Sequence, residues 1–398
     1  MAYLNGICGE GSPASGPSSS RLSEACPSPA SAVASMRLLF ISDYHLPQAH
    51  RGVEVNTHAL CTALQAEGCS AAVLARLRPQ GLLGAWSRAK LKLSSRRRLW
   101  TAERLAGYAT YRAWRLEDAL EGVIAHAAPD VAVFQGTDRA AAGAAAACGV
   151  PVLLYFHIIP HWPDVPALPR GRYLANSRFC QRRMGERHGI DCAVVPPIVP
   201  AEPYRTRVTP EEVTVVGLSR DKGGEIVLGA AERLPEIPFR IFANDPHGGG
   251  RGDRLLQRAA QLPNVRLNPP QHSNAALYRR SRLIFAPSQW EETWGRVVTE
   301  AQVNGIPAIA SDRGGLPEAV GEGGLCLPHD APVGEWARAI EEAFRDPVAY
   351  QRYREGVHRS RARRITAPES VTAALLGQAR RLVDTAGKAA RAPEASPC

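Results

Sequence analysis

Short apolar runs alternate with amphipathic segments along most of the chain, from Met36 to about residue 365. The apolar runs predict buried strands, in chain order MRLLFIS, AAVLA, DVAVFQ, PVLLYFH, RYLANS, EVTVVGLS, FRIFAN, NVRLN, RLIFAPS, PAIAS and GGLCLP. Strands that alternate with helices are typical of parallel sheets covered by helices on both faces and joined by right-handed crossovers. The pattern therefore predicts an α/β fold with doubly wound sheets.

Helices are expected between these strands. They are predicted near 52–67, in a basic stretch, in an Ala-rich stretch, and near 224–233, 252–261 and 273–280, and around Glu300. The chain of 398 residues is longer than one core usually supports, so two domains are expected.

A segment with five prolines, PPIVPAEPYRTRVTP, separates the two alternating halves. Proline interrupts both helices and strands, so this segment is predicted to be a hinge over 199–210. The domains are then 36–198 and 211–365, followed by a helix at 366–385. A ligand is expected between the domains, at the carboxyl ends of the strands. The terminal segments 1–35 and 386–398 have the composition of disordered tails.

Composition narrows the class of protein. Apolar residues make up 45% and charged residues 22%, as in ordinary globular proteins. Nine scattered cysteines form no C-x-x-C pair, which argues against a disulfide framework or a structural zinc site and favours a reducing, cytoplasmic compartment. No apolar run approaches the ~20 residues that span a bilayer. We therefore expect a protein that is neither secreted nor integral to a membrane.

The net charge of +10 is concentrated in one stretch. Residues 88–116 hold nine Lys or Arg and a single acid, Glu103, together with four Trp or Tyr residues. Such a stretch can lie on the anionic inner face of a membrane or bind an anionic substrate, and it can equally be a solvated pair of basic helices. Nucleic acid is not expected, because no nucleic-acid-binding motif accompanies the charge.

The segment EETWGRVVTEAQVNGIPAIASDRGGLPEAV places Glu292 and Glu300 eight positions apart, after a predicted strand. Gly295 is predicted to open a helix whose first amide groups suit a phosphate. If the whole segment is helical, the two carboxylates lie roughly 12 Å apart. This spacing fits one carboxylate on each sugar of a nucleotide-sugar. The alternative is that Glu292 caps the helix and Glu300 lies on its surface.

This segment closely resembles the E-x7-E signature of family 4 glycosyltransferases, with Trp294 at the usual aromatic position and with GIP, GG and PEAV in order. The resemblance extends to LLFISDYHLPQAHRGVEVNTHALCTALQAEGCSAAVL, YFH, YLANSRF and GLSRDKGGEIVLGAAERLP. It implies a GT-B fold, in which two Rossmann-like domains face a central cleft and the second domain holds most of the nucleotide-sugar donor.

The resemblance also implies roles for individual residues. Glu292 is expected to contact the donor-sugar hydroxyls, Glu300 the ribose diol and Lys222 the diphosphate. His157, which ends a predicted strand, resembles the family's histidine near the reacting carbon. The implied catalytic residues are thus His157, Lys222 and Glu292. Taken alone, Lys222 could be a surface charge at a helix start and His157 a structural residue.

The remaining donor-site residues depart from the family pattern in places. The implied donor site also includes Gly52, Arg220, Gly295, Arg296 and Val297. Arg51 replaces the first glycine of the family's Gly-Gly turn before Gly52, so Gly52 could be an ordinary turn residue. Arg220 lies only two residues before Lys222, whereas the family often has Gly-Arg five positions before that lysine, and Ser219 could replace it.

Such enzymes are retaining and need no metal or other cofactor, and the sequence contains no D-x-D pair. The predicted function is transfer of a hexose-type sugar from a UDP- or GDP-linked donor to a hydroxyl of a glycan, a lipid-linked acceptor or a small natural product. A nucleotide-dependent oxidoreductase is disfavoured, because no G-x-G-x-x-G follows the first strand and HGGGRGD lacks that spacing. A GT-B epimerase or phosphorylase, or a non-catalytic sugar-nucleotide-binding protein, remains the alternative.

Overall fold

A computed structural model describes residues 35–93, 99–243, 254–269, 274–362 and 365–391. The predicted tail 1–35, apart from Ser35, lies outside these residues, and so do HGGGRGD and 392–398. Within them, the alternation of strands and helices builds two mostly parallel sheets, one in each half of the chain.

The first sheet has eight strands in the order β3-β4-β2-β1-β5-β6-β7-β8. Its strands are β1 Arg37–Ser42, β2 Ser70–Arg76, β3 Trp100–Glu103, β4 Ala109–Ala113, β5 Val131–Phe134, β6 Val152–Phe156, β7 Gly171–Ala175 and β8 Cys192–Val194. Their helices are α1 Gly52–Ala66, α2 Gly81–Leu93, α3 Leu116–Ala127, α4 Arg139–Ala146 and α5 Arg178–His188. All pairs are parallel except β3 with β4, and the strand order reverses direction between β1 and β5.

The second sheet is wholly parallel, with the order β11-β10-β9-β12-β13-β14. Its strands are β9 Glu212–Val216, β10 Phe239–Phe242, β11 Val265–Asn268, β12 Ser281–Ala286, β13 Ala308–Ser311 and β14 Gly324–Leu327. Its helices are α6 Gly224–Arg233, α7 Arg254–Gln261, α8 Asn274–Tyr278, α9 Arg296–Gln302, α10 Leu316–Val320, α11 Val333–Arg345 and α12 Pro347–Ala362. The order reverses between β9 and β12, and ligands of doubly wound sheets bind at such points.

The last helix, α13 Pro368–Arg391, returns to the first domain. Val371, Leu375 and Leu376 are buried in the core that also contains the central strand β1. The helix runs six residues past the predicted end at residue 385, and the disordered tail stays a prediction. The reason for the longer helix is local, because the Ala-rich sequence TAGKAAR has a high helix propensity.

The interpretation of 88–116 as a pair of solvated helices is wrong. The stretch begins in helix α2, contains the antiparallel strands β3 and β4, and ends at the first residue of α3, while 94–98 lie outside the described residues. Tyr108, Tyr111 and Arg112 are buried, and Arg112 donates a hydrogen bond of 3.0 Å to the buried carboxylate of Glu103. Composition could not show this, because a buried arginine paired with a carboxylate reads in the sequence like a solvated one.

Candidate functional site

Two loops meet where the strand order of the second sheet reverses. The loop after β9 contains Lys222, and the loop after β12 contains Glu292. The carbonyl of Asp221 accepts hydrogen bonds from the backbone amides of Gln289 (2.8 Å) and Trp290 (3.0 Å). The two loops are therefore held against each other by the backbone, whatever side chains they carry.

These loops bring two predicted site residues together. The ammonium of Lys222 forms an ion pair with Oε1 of Glu292, while 37% of the lysine side chain and 19% of the glutamate side chain stay exposed. An ion pair that is still open to solvent can exchange its partner for a ligand, because desolvation has not fixed it in place.

Glu292 owes its position to the Gly-Gly turn that follows β13. Gly314 has φ of +67°, and a Cβ atom there would lie 2.2 Å from the carbonyl oxygen of Glu292. The amide of Gly315 donates a hydrogen bond to the same carbonyl at 2.5 Å. Only glycine permits this approach, so the turn fixes the backbone of Glu292.

The helix that begins after Glu292 is short. Gly295, with φ of +103°, is the N-cap of α9, which has only seven residues. Residues 291–295 are not helical, so the condition for the calculated separation, a helix spanning both glutamates, is not met. The turns between Trp290 and Gly295 replace that helix. In a helix this short, individual amide groups would contact a phosphate, and the macrodipole would add little.

Glu300 lies in a closed network. Its Oε1 accepts a hydrogen bond of 3.1 Å from Nε of Arg296, and its Oε2 accepts one of 2.9 Å from the hydroxyl of Tyr278. Both side chains of the ion pair are less than 15% exposed. Burial lowers the pKa of Arg296, but Glu300 and Tyr204 together outweigh it, and the net shift of that pKa is upward.

Arg296 connects the two domains. Its Nη1 donates 2.9 Å to the carbonyl of Ile198 and 3.4 Å to Oδ1 of Asn56, and its Nη2 donates 3.1 Å to the hydroxyl of Tyr204. A Cβ atom on Gly52 would lie 3.5 Å from Cδ of Arg296. The start of α1 and the start of α9 therefore meet at this arginine, which brings Gly52, Arg296 and Glu300 into one region.

The two other predicted donor residues of the second domain behave differently. Val297 is partly buried and packs against the hydrophobic core, so its backbone rather than its side chain is available to a ligand. Arg220 is exposed, and it forms no ion pair within the described ranges. The structure thus places Arg220 two residues from Lys222 on the same turn but assigns it no partner there.

His157 follows β6 and is buried, with 9% of its surface exposed. Its ring lies 4.1 Å from that of Tyr155, centroid to centroid. Burial, with a smaller contribution from the positive charge of Arg296, lowers the pKa of His157 to about 3. The imidazole is therefore neutral at physiological pH, and it can donate or accept a hydrogen bond but does not supply a positive charge.

A chain of hydrogen bonds sets the tautomer of His157. The amide nitrogen of Gln135 donates to Oγ1 of Thr57, which donates in turn to the carbonyl of Val53 at 2.8 Å. The amide oxygen of Gln135 is left to face Nε2 of His157 at 3.1 Å, so Nε2 carries the proton. The sequence analysis missed Gln135 and Thr57, because nothing in their local pattern indicates a contact with His157.

The sequence analysis also missed the contacts between the domains around His157. The hydroxyl of Thr293 donates to the carbonyl of His157 and accepts a hydrogen bond of 2.9 Å from the amide of Asn176. The carboxylate of Glu318 accepts hydrogen bonds from the amides of Arg178 (2.9 Å) and Phe179 (2.6 Å), at the start of α5. Thr293 and Glu318 lie in the quoted segment EETWGRVVTEAQVNGIPAIASDRGGLPEAV, and Asn176, Arg178 and Phe179 lie in YLANSRF. The resemblance in these segments was the signal that could have indicated the contacts.

Comparison with known families agrees with this description of the second domain. Residues 207–359 match the family model "Glycosyl transferases group 1". The matched range contains Lys222, Glu292, Arg296 and Glu300, whereas Gly52 and His157 lie outside it. Similarity of the second domain to glycosyltransferases is thereby confirmed, while membership of family 4 stays a prediction.

The curated relatives are similar over part of their length. D-inositol 3-phosphate glycosyltransferase from Mycolicibacterium smegmatis is 37% identical over 142 residues, which cover 33% of this chain and 32% of that protein. The enzyme of the same name from Mycobacterium bovis is 34% identical over 200 residues, covering 44% of this chain and 41% of that protein. The chain therefore matches less than half the length of either relative.

Solved structures match nearly the whole chain. A glycosyltransferase from Rickettsia africae superposes with a TM-score of 0.68 at 14% identity and covers 87% of this chain and 99% of its own. The Anabaena protein Alr3699/HepE, solved with UDP and glucose, gives 0.63 at 17% identity and covers 88% and 99%. With two parallel-sheet domains of the observed topology, the fold is GT-B, which confirms the predicted fold class.

Proposed function

We propose that this protein is a retaining glycosyltransferase that transfers a hexose-type sugar from a nucleotide-diphosphate sugar to an acceptor hydroxyl, without a metal. The observation that carries the proposal is the open ion pair of Lys222 and Glu292 at the point where the strand order of the second sheet reverses. A cation for the diphosphate and a carboxylate for the sugar lie side by side there.

The chemistry follows from these groups. Lys222 would stabilise the charge that develops on the leaving diphosphate, together with the backbone amides at the start of α9. When the diphosphate binds Lys222, the carboxylate of Glu292 is released to accept hydrogen bonds from sugar hydroxyls. Glu300 can still accept from a ribose diol, because a carboxylate offers about four lone-pair positions and two are occupied.

His157 would act on the sugar rather than on the diphosphate. Its buried ring is neutral, so it offers a hydrogen bond without attracting the phosphate charge away from Lys222. The acceptor hydroxyl would attack from the face that the leaving group departs, and a phosphate oxygen would take the proton. This step needs no carboxylate nucleophile.

The comparisons support a uridine nucleotide and a small acceptor as the first candidates. Alr3699/HepE has been solved with UDP and with UDP-glucose. The curated relatives are named as glycosyltransferases of D-inositol 3-phosphate, so a phosphorylated polyol belongs beside glycans and lipid-linked acceptors in the first acceptor screen. Among the described residues, no group of three or more His, Cys, Asp or Glu is arranged to hold a metal ion.

The fold by itself does not select a transferase. A UDP-GlcNAc 2-epimerase from Neisseria meningitidis superposes with a TM-score of 0.51 at 15% identity. An epimerase would convert the donor sugar in the absence of acceptor, and a phosphorylase would need inorganic phosphate. Product analysis with and without acceptor and phosphate separates these activities from transfer.

Calorimetric titration with UDP, GDP, ADP and dTDP tests the donor site. One nucleotide should bind, and Glu300→Gln should weaken it roughly 10- to 100-fold, because a ribose hydrogen bond to a charged group is lost. Glutamine is preferred to alanine here, since its amide oxygen can still accept the hydrogen bond from Arg296 although the charge is lost. No binding of any nucleotide by the wild type would remove the proposal.

A matched control comes from the surface of the same domain. Glu341 also pairs with an arginine four residues away, Arg345, but both side chains are more than 40% exposed. Glu341→Gln should leave nucleotide binding unchanged. Equal weakening in both variants would show that the loss at Glu300 reflects net charge and not a contact with the nucleotide.

A further inference from the structure

Helix α2 has three of its large apolar side chains on the outside. Leu82 and Leu93 are 85% and 84% exposed, and Trp86 is 46% exposed. At 100° per residue these three and the exposed Ala89 fall within an arc of roughly 60° on one side of the helix. They form one continuous stripe, which we call the α2 stripe.

The opposite side of α2 packs on the protein, with Leu91 partly buried and with two small residues fully buried. Gly84 and Ser87 are buried, and a Cβ atom on Gly84 would lie 2.5 Å from the carbonyl oxygens of Arg78 and Pro79. An ordinary surface helix buries its large apolar residues and exposes its polar ones. In α2 the polar residues are exposed, but Leu82, Trp86 and Leu93 are exposed as well, so the α2 stripe lacks the burial that its composition favours.

The stripe is bordered by positive charge. Arg88 and Lys92 lie on one side of it and Lys90 on the other, and all three are exposed. The ammonium of Lys90 lies 4.5 Å from the centroid of the Trp86 ring. From Gly68 to Ala102 the sequence contains no Asp or Glu. A partner of this surface must therefore be apolar at its centre and anionic around it.

We propose that the α2 stripe docks on the surface of an anionic phospholipid bilayer. An apolar face flanked by lysine and arginine, with tryptophan at the boundary, is the pattern of a helix that lies in the membrane interface. Leu82 and Leu93 would enter the acyl boundary, Trp86 would lie at the headgroup level, and the three cations would contact lipid phosphates. Among the described residues, no helix is long and apolar enough to cross a membrane.

This surface replaces the whole stretch 88–116 as the membrane contact, since Tyr108 and Tyr111 of that stretch are buried. It lies outside the donor site, so it does not depend on the proposed sugar transfer. If both proposals hold, the first domain is held at a membrane and an acceptor presented there is within reach.

Vesicle flotation of the full chain tests the inference. The wild type should bind vesicles of phosphatidylcholine with phosphatidylglycerol, should not bind phosphatidylcholine alone, and should dissociate as salt rises. The double variant Leu82→Gln with Leu93→Gln should lower the partition coefficient at least about tenfold. Arg88→Gln with Lys90→Gln and Lys92→Gln should lower it on the order of 100-fold.

Controls separate docking from misfolding. Both leucines are exposed, so the double variant should keep the wild-type melting temperature and nucleotide affinity. Val348→Gln, at a residue 78% exposed in the second domain, should leave vesicle binding unchanged. The inference is overturned if the wild type binds no vesicles, if it binds neutral vesicles equally well, or if the leucine variant binds as the wild type does. A concentration-dependent dimer that the leucine variant abolishes, without vesicle binding, would make a second copy the partner instead.

Discussion

The proposed donor site contains two ion pairs built from the same kinds of groups in different surroundings. Lys222 and Glu292 join two loops, and more than a third of the lysine remains exposed. Arg296 and Glu300 are both less than 15% exposed and are held by further hydrogen bonds from Tyr278 and to Ile198. The first pair can exchange partners with a ligand, whereas the second fixes the domains relative to each other.

This difference changes the meaning of the two glutamates. Seen as a motif, they are equivalent carboxylates eight positions apart. In the structure, Glu292 has one charged partner that a diphosphate could displace, while Glu300 neutralises a buried arginine. We therefore expect variants of the first pair to affect the reaction and variants of the second to affect stability first.

The largest expected effect is on Arg296→Met, which would leave the carboxylate of Glu300 buried without its cation. Breaking a buried pair from one side costs about 3–5 kcal/mol, so the thermal midpoint should fall strongly, as measured by circular dichroism. Adding Glu300→Gln should restore part of the stability, because the orphaned charge is then removed.

The exposed pair of Glu341 and Arg345 provides the control. Arg345→Met should change the free energy of unfolding by less than about 1 kcal/mol. A small effect of Arg296→Met, similar to that of the control, would contradict the distinction drawn between the two pairs.

Lys222→Ala should produce the next largest effect, on the reaction rather than on the fold. Loss of one positioned charge at a leaving group costs roughly 10²- to 10³-fold in kcat, and KM for the donor should rise less. The melting temperature should stay near that of the wild type, since the pair is partly solvated. Steady-state kinetics with the nucleotide-sugar that calorimetry identifies would check this, and a rise in donor KM with unchanged kcat would assign Lys222 to ground-state binding only.

The sequence predicted the fold and named the residues of both pairs, but it predicted neither pairing nor the partners of Arg296. Alternating apolar runs predict both sheets, since burial of a parallel strand leaves a continuous apolar segment. Lys222 and Glu292 were singled out by the resemblance to family 4 glycosyltransferases, and the structure brings them together because the loops after the adjacent strands β9 and β12 meet where the strand order reverses. The partners of Arg296 are Asn56, Ile198 and Tyr204, which are distant in sequence and belong to no shared pattern. Contacts of this kind depend on how two domains pack, which periodicity does not encode.

The stability of the first domain should be sensitive to acid, because two of its buried histidines, His45 and His157, are neutral. Burial lowers the pKa of His45 and of His157 to about 3, below the ordinary value of 6.5. The unfolded chain therefore binds protons that the folded chain does not, and stability falls as pH drops from 6.5 towards 3. Each histidine contributes a slope of roughly 1 kcal/mol per pH unit in that window.

Thermal unfolding of His157→Gln across pH 7.5 to 4 isolates one of these contributions. Glutamine cannot take up a proton, so the variant should lose less stability than the wild type over the same range. A parallel pair of curves would show that His157 is not the group responsible.

The smallest expected effect belongs to Arg220, which shares a turn with Lys222 but is exposed and has no ion pair among the described residues. If Arg220 supplies a second cation to the diphosphate, Arg220→Ala should raise the donor KM a few-fold and leave kcat within about twofold, since an exposed charge pair contributes at most ~1 kcal/mol. The effect should shrink as salt rises, because an exposed cation is screened. Arg207, which is also exposed and lies before the second sheet, is the matched control. Equal changes in both variants would mean that the donor senses only the overall charge of this domain and that the open pair acts alone.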